Sequence, residues 1–305
     1  MSTVLFDDTT IPRLFFHTTT NPFKPLNRYP SMIPIAAEAQ LKNLLAEDLG
    51  FCDITSHLLG EEKGSSHIIA KEDCILSGLA HVKYLLELRG LHVTLFFTDG
   101  AKAKKGDTIL EVSGLYRNMF EVERTALNLL TRMSGIATET NKLTKKVKKV
   151  NPSCRVAATR KTVLRLFDKE AVITGGGDPH RFRLDDMVLL KDNHIKILGI
   201  EEALKRAKEV SFSKKVEIEV STKEDAVKAV EYGADIVMLD NMTPEEVKNT
   251  VKTVKKINKD IAIEASGGIT EETIQAYAEA GVDIISLGYI THSVKAVNMS
   301  LEVSL

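Results

Sequence analysis

The sequence predicts an α/β protein in two parts, an N-terminal α/β sandwich followed by a βα barrel, and three observations carry that prediction. Strand-like runs headed by Val216, Ile236, Ile261 and Ile284 recur at intervals of 20, 25 and 23 residues. That is the length of one βα unit in a barrel or a doubly wound sheet, and helical patterns near 200–210, 222–233, 244–257 and 270–281 alternate with them. Upstream, from Ser66 to Val112, short strand patterns surround one helical run, as in a sandwich. Finally, no GxGxxG follows the first strand, and Gly175-Gly176-Gly177 precedes DPHRF rather than opening an apolar helix. A dinucleotide fingerprint is therefore absent, and a barrel is favoured over a Rossmann sheet.

With 43% hydrophobic and 27% charged residues in 305, the chain can bury a sizeable core. Its 41 basic and 42 acidic residues leave a net charge of -1. No overall field then favours nucleic acid or a membrane surface, and any anion site must be local. Cys52, Cys74 and Cys154 lack CxxC spacing, which supports neither a zinc site nor an even disulfide framework and points to a reducing cytoplasm. No apolar run approaches the ~20 residues that span a bilayer. Asp7 and Asp8 stand where a signal peptide is basic, so secretion is not expected.

In chain order, residues 1–31 are rich in Thr, Pro, Asn and Phe, and Pro12, Pro22, Pro25 and Pro30 would interrupt any regular element. They read as a poorly ordered extension. Within Ala36 to Leu49, the residues Ala37, Leu41, Leu44, Leu45 and Leu49 fall on one helical face. Gly50 to Thr55 reads as a turn in which Asp53 and Thr55 cap local backbone. HIIAKED, CILSGLA, LHVTLFF and DTILEVSG read as strands, with HVKYLLELRG as the helix among them. Met119 to Gly135 reads as an amphipathic helix with Val122, Ala126, Leu129, Leu130 and Met133 inward, leaving Arg124 off the stripe and near Glu121. A separate helix, Ala137 to Lys149, ends in KKVKKV, whose cations suit the negative end of a helix dipole. RVAAT and MVLL add two strands ahead of the repeated VEIEV, DIVMLD, IAIEAS and DIISLG. The domains so read are 32–135 for the sandwich and its linking helix, 136–291 for the barrel, and 292–305 for a tail returning toward the N-terminal domain.

The chemistry gathers between Thr159 and His194, where Arg160, Lys161, Arg165, His180, Arg181, Arg183 and Lys191 flank two short apolar runs. Taken singly, each is an ordinary solvated charge. Together they imply a pocket for a polyanion. Barrel enzymes keep their reactive groups at the carboxyl ends of strands, and the strands here end in Arg160 and Lys161, Lys191, Glu219, Asp240, Ser266-Gly267-Gly268 and Gly288. Alternation puts Glu217 and Glu219 on one strand face, and an inward carboxylate needs a cation, a hydroxyl or a metal. Thr243 already supplies a helix cap ahead of Pro244, which frees Asp240 for ribose hydroxyls or Mg²⁺. Ser266 to Thr270 lies between a strand and a helix, so its backbone N–H groups and the positive helix end predict a phosphate cradle, with Leu287-Gly288-Tyr289 as the neighbouring wall. Cations suited to carboxylates and phosphates, beside acids suited to ribose or a metal, describe a phosphorylated sugar meeting an anionic acceptor.

In AEDLGFCDIT, ERTALNLLTRMSGIAT, ATRKT, GGGDPHRF, LLKDNHI, VEIEV, VMLDN, EASGGI and SLGYITHS, the sequence resembles the quinolinate phosphoribosyltransferases, also called carboxylating nicotinate-nucleotide pyrophosphorylases. The resemblance runs from about Ala37 to Val303. It implies an incomplete, TIM-like α/β barrel behind the N-terminal sandwich. It also implies a homodimer with shared active sites, the sandwich of one subunit covering the barrel mouth of the other, and leaves open a hexamer of dimers. The implied reaction moves a phosphoribosyl group from phosphoribosyl diphosphate to quinolinate with decarboxylation, giving nicotinate mononucleotide, CO₂ and diphosphate for NAD biosynthesis. By the same resemblance quinolinate would be held by Arg124 of the neighbour, Arg160, His180 and Arg181, with Lys161 and Lys191 reaching carboxylate or phosphate oxygens and Thr159 also in the substrate site. Glu219 and Asp240 would hold the ribose, while Ser266, Gly267, Gly268, Leu287, Gly288 and Tyr289 would hold the 5-phosphate. Arg160, Lys161, Lys191, Glu219 and Asp240 form the implied catalytic set. No direct metal ligand is assigned: Mg²⁺ would ride on the diphosphate, near Glu219 and Asp240. The segment Arg160 to Arg165 is shorter than the family pattern and lacks its Pro-Gly, so a rearranged loop is expected there. Two rival readings remain at this point: a related phosphoribosyltransferase with another anionic acceptor, and a non-catalytic barrel that binds a phosphate or nucleotide.

Overall fold

Residues 34–304 are described in a computed structural model, so the extension expected over residues 1–31 lies outside the described residues. The first helix, α1 (Ile35–Leu49), buries Ala37, Leu41 and Leu45. Each such fully buried leucine contributes about 1.5–3 kcal/mol relative to exposure. Asp53 then accepts the Thr55 N–H at 3.0 Å and the Ser56 hydroxyl, heading a single 3-10 turn (Ser56–Leu58). That is the local cap expected of it. Five strands and a helix follow: β1 (Lys63–Ala70), β2 (Cys74–Ile75), α2 (Leu79–Leu88), β3 (His92–Leu95), β4 (Lys102–Ala103) and β5 (Thr108–Leu115). The strand expected over CILSGLA is cut to two residues because α2 already begins at Leu79. Its first turn is completed by Asp99, which accepts the Leu79 N–H at 3.0 Å. A cap from 20 residues downstream leaves no mark on local periodicity.

One helix, α3 (Tyr116–Lys148), replaces the two expected over Met119–Gly135 and Ala137–Lys149. At 33 residues it is ~50 Å long, and its buried face continues unbroken from Leu130 and Met133 through Ile136, Ala137 and Leu143 to Val147. Gly135 looks like a stop but answers to packing instead. A Cβ there would lie 2.3 Å from the Lys295 carbonyl oxygen, and Val297 N–H reaches the Thr131 carbonyl at 3.1 Å. Glycine lets the C-terminal segment cross the helix in contact with its backbone.

The second half runs β6 (Arg155–Ala158), α4 (Arg165–Thr174), β7 (Val188–Leu190), α5 (Asp192–Leu198), α6 (Ile200–Glu209), β8 (Val216–Val220), α7 (Lys223–Glu231), β9 (Ile236–Asp240), α8 (Pro244–Ile257), β10 (Ala262–Ser266), α9 (Ile274–Glu279), β11 (Ile284–Leu287), α10 (Tyr289–His292) and β12 (Met299–Ser304). The parallel sheet is ordered β6-β11-β10-β9-β8-β7, a six-stranded incomplete barrel whose edges are β6 and β7. Its strands read as near-continuous apolar runs because both faces are covered; Ile236, Val237, Met238 and Leu239 are all buried. Helices α4 and α5 were not expected. Helix α4 hides its period because its buried face carries Asp168 and Lys169 beside Phe167, Ala171 and Val172. At the C-terminus β12 leaves the barrel and pairs antiparallel with β1, giving the N-terminal sheet the order β12-β1-β5-β3. Among the described residues no helix is long and apolar enough to cross a membrane.

Candidate active site

Parallel strands present all their carboxyl ends to one side, and here those ends ring a cavity of about 980 Å³. Thr159, Arg160 and Lys161 follow β6, Lys191 follows β7, and Glu219 and Asp240 lie near the ends of β8 and β9. Ser266, Gly267 and Gly268 lie at the end of β10, and Leu287, Gly288 and Tyr289 at the end of β11. His180 and Arg181 join them from the segment between α4 and β7. Every residue of the expected substrate set lines this cavity except Arg124. Arg124 is exposed on α3, and its expected partner Glu121 pairs with Arg89 instead. Of the other cations in the stretch, Arg183 turns outward to Asp185 at 3.0 Å, and Arg165 does not line the cavity.

Charge is divided across the cavity. Arg160 and Arg181 are half-buried, and among the described residues neither guanidinium has a carboxylate within ion-pair distance. Burial first, and the Arg160 charge second, lower the Arg181 proton affinity. Beneath them Lys169 is fully buried, donating to the Ala158 carbonyl at 3.0 Å and to the Pro179 carbonyl. Burial first and the Arg160 charge second, with smaller pushes from Arg165 and Arg181, bring its amine down to about 8 against an opposing pull from Asp178. So many cations with so few counter-charges make a site that gains by receiving a multiply charged anion.

Across the cavity the acids dominate. Glu219 forms an ion pair with Lys191, while burial and the Glu219 charge raise the Asp240 carboxyl above its usual range. Asn241 Nδ2 donates to Asp240 at 2.6 Å, and Thr243 with Glu246 forms the capping box that leaves Asp240 free of the helix. The cradle after β10 is looser than expected. Helix α9 starts only at Ile274, so no helix end points at Ser266–Gly268, and the loop offers backbone alone. Gly267 is required there: its φ is +90°, and an added Cβ would stand 2.3 Å from Asn241 Oδ1. Lys142 and Lys146 of α3 hold the far side of this loop through Glu271, and Tyr289 donates to Glu139 of the same helix at 3.2 Å.

The segment 160–164 after β6 forms no helix or strand and is held from outside. Arg132 of α3 grips buried Asp168 through two bonds of 2.8 and 2.7 Å and also donates to the Thr291 carbonyl at 2.9 Å. Asp168 accepts the Thr162 hydroxyl, and Thr291 donates to the Lys161 carbonyl at 3.3 Å. The floor of the cavity holds a group that sequence reasoning did not assemble. His180 Nε2 lies 3.1 Å from Glu264 and 3.4 Å from Glu217, two carboxylates with 0% side-chain exposure. Glu217 was read as an inward acid needing a partner, and His180 is that partner. Glu264 was not singled out, although the alternation of IAIEAS puts it two residues before Ser266 on the same strand face.

Residues 53–134 match the quinolinate phosphoribosyl transferase N-terminal domain and residues 136–302 the C-terminal domain of the same family. A protein of Methanocaldococcus jannaschii named "probable nicotinate-nucleotide pyrophosphorylase (carboxylating)" is 49% identical over 272 residues, covering 86% of this chain and 95% of that protein. The same-named protein of Bacillus subtilis is 39% identical over 277 residues, covering 87% and 94%. The solved nicotinate-nucleotide pyrophosphorylase of Francisella tularensis superposes with a TM-score of 0.83 at 35% identity, covering 90% of this chain and 98% of that one. Through both domains, and with the incomplete barrel that carries the cavity, the chain belongs to the quinolinate phosphoribosyltransferase family.

Proposed function

We propose that this protein transfers the phosphoribosyl group of phosphoribosyl diphosphate to quinolinate and releases CO₂ and diphosphate, giving nicotinate mononucleotide for NAD biosynthesis. The observation that carries the reading is the pair of half-buried guanidiniums, Arg160 and Arg181, with no carboxylate of their own among the described residues. A planar dicarboxylate supplies what they lack. Arg160, Arg181 and His180 hold the acceptor, and Lys161 and Lys191 meet carboxylate or phosphate oxygens. Glu219 and Asp240 take the ribose hydroxyls, with Ser266–Gly268 and Leu287–Tyr289 around the 5-phosphate. The pyridine nitrogen then bonds to the anomeric carbon as the carbon–oxygen bond to diphosphate breaks. The ring, now a pyridinium, accepts the electron pair of the adjacent carbon–carboxylate bond as CO₂ departs, and a proton takes its place. Catalysis is positioning plus electrostatics, without a covalent protein nucleophile.

Mg²⁺ fits this donor set: Glu219 and Asp240 are hard oxygen donors, and burial first and the Glu219 charge second raise the Asp240 carboxyl, a strain that a cation beside the two would relieve. Those two residues would stand beside it, and when bound it supplies neutralisation of the diphosphate. Arg124 we place in the acceptor site of a partner subunit, in a homodimer working in the reducing cytoplasm. Quinolinate-dependent release of diphosphate by the purified protein tests the assignment. Release with a different pyridine or imidazole acid, and none with quinolinate, would move the assignment to a relative with another acceptor; binding without any release would leave a nucleotide sensor.

A further inference from the structure

The buried group at the cavity floor needs an explanation that the reaction does not supply. Both oxygens of Glu217 and one of Glu264 lack a hydrogen-bond partner among the described residues, and the two carboxylates share one imidazole. Leaving such atoms unmet is costly. One reading is a cation site, since the three donor atoms lie within 4.8 Å of one another. The other nitrogen of His180 argues against it. Against the downward push of burial, the hydrogen bonds and charges of Glu217 and Glu264 hold the imidazole up at about 10, and Nδ1 lies 2.8 Å from the Arg181 backbone N–H, so Nε2 carries a proton. A nitrogen that bears a proton donates to a carboxylate and cannot ligate a metal. Burial and the Glu264 charge raise Glu217 above the usual carboxylate range.

We propose that Glu217 and Glu264 are positioning residues for the acceptor half of the cavity, acting through His180. The chain of contacts is continuous. Glu264 of β10 receives Nε2–H at 3.1 Å, Glu217 of β8 stands 3.4 Å from the same nitrogen, and together they set the plane of the ring; the ring, with its backbone at φ +53°, fixes the Arg181 N–H through Nδ1; and Arg181 is thereby aimed beside Arg160. A left-handed conformation at a non-glycine residue persists only when its surroundings over-determine it. Here the over-determination comes from the two strands, β8 and β10, and the Glu217 charge also acts on the Arg181 guanidinium without forming an ion pair with it. The donor half, at Asp240 and the glycine loop, makes no contact in this chain of bonds.

The inference rests on the acceptor reading above, and wild-type turnover of quinolinate, measured alongside, tests that reading separately. The experiment is a double-mutant cycle between Glu264→Gln and His180→Gln, with KM for acceptor and donor measured in each variant. Glu264→Gln should raise the acceptor KM by about tenfold or more, the size expected for one lost charge-assisted bond, while the donor KM stays within about twofold. On a His180→Gln background the same substitution should add no further rise, because its effect travels through the ring. Glu217→Gln should follow the same pattern. Should Glu264→Gln not fold, Glu264→Asp, which keeps the charge and withdraws it by one methylene, is read in its place. Additive effects on the two backgrounds, an equal rise in the donor KM, or an unaltered acceptor KM would each overturn the proposal.

Discussion

Arg160 and Arg181 show how little a list of charges says until their partners are known. Both were legible as candidates, since seven cationic side chains crowd Thr159–His194. Which of them face the cavity was settled by contacts: Arg183 is taken by Asp185, while Arg160 and Arg181 are left without a carboxylate among the described residues. Arg181→Ala should therefore cost about 3 kcal/mol of transition-state stabilisation, roughly a hundredfold in kcat/KM for quinolinate. An unaltered kcat/KM would remove Arg181 from the site. Lys169 could not be read from sequence at all, because a lysine inside a helical pattern is ordinarily exposed. With its amine pushed down to about 8, it loses its charge as pH rises through that value, and acceptor affinity should weaken with it. Quinolinate KM should rise above pH ~8 while the donor KM changes less. Stability runs the opposite way over that window: the unfolded chain still binds the proton up to the ordinary value of 10.5, so folding gains as pH climbs from about 8 toward it. A flat quinolinate KM between pH 7.5 and 9.5 would show that the Lys169 charge does not reach the acceptor.

Helix α3 is the element on which the two halves depend. It gives buried leucines to the sandwich, Arg132 to the loop after β6, and Glu139, Lys142 and Lys146 to the loops after β11 and β10. Its apolar period was legible on both sides of Gly135, yet its continuity was not, since an isolated glycine costs about 1 kcal/mol in a helix and reads as a break. Gly135→Ala weighs the two effects against each other. Alanine regains about 1 kcal/mol of propensity, and the clash with the Lys295 carbonyl costs about 1–3 kcal/mol. The clash should win, lowering the thermal midpoint by a few degrees and loosening β12 first, which amide exchange along Met299–Ser304 would detect. A raised midpoint would mean that the crossing segment gives way freely. Helix α9 is the converse case: the Ser266-Gly267-Gly268 turn was legible from composition, but the five residues between Gly268 and Ile274 moved the helix end away from it.

The cavity is built by one chain, but Arg124 is not in it. Exposed on the sandwich side of α3 and without a carboxylate partner among the described residues, it is available to a second barrel in the proposed homodimer. Arg124→Ala and Arg181→Ala chains, each strongly impaired alone, should recover activity when mixed and allowed to exchange. One of the two sites in a mixed dimer then receives an intact barrel and an intact Arg124. Absence of recovery after demonstrated exchange would sink the shared site. The sequence by itself determined the α/β class, the recurring βα unit, the six strands of the barrel and the polar groups at their ends, because the apolar period of a strand and the spacing to the next are local properties, repeated every 20 to 25 residues over the last four strands. It also carried the family motifs, which bring the reaction with them. Only the tertiary structure decided that α3 is one helix, that β12 closes on β1, and that Glu217, His180 and Glu264 meet beneath Arg181. Those three depend on which side chains are denied water by residues distant in sequence, and local pattern carries no record of burial or of partners on another strand.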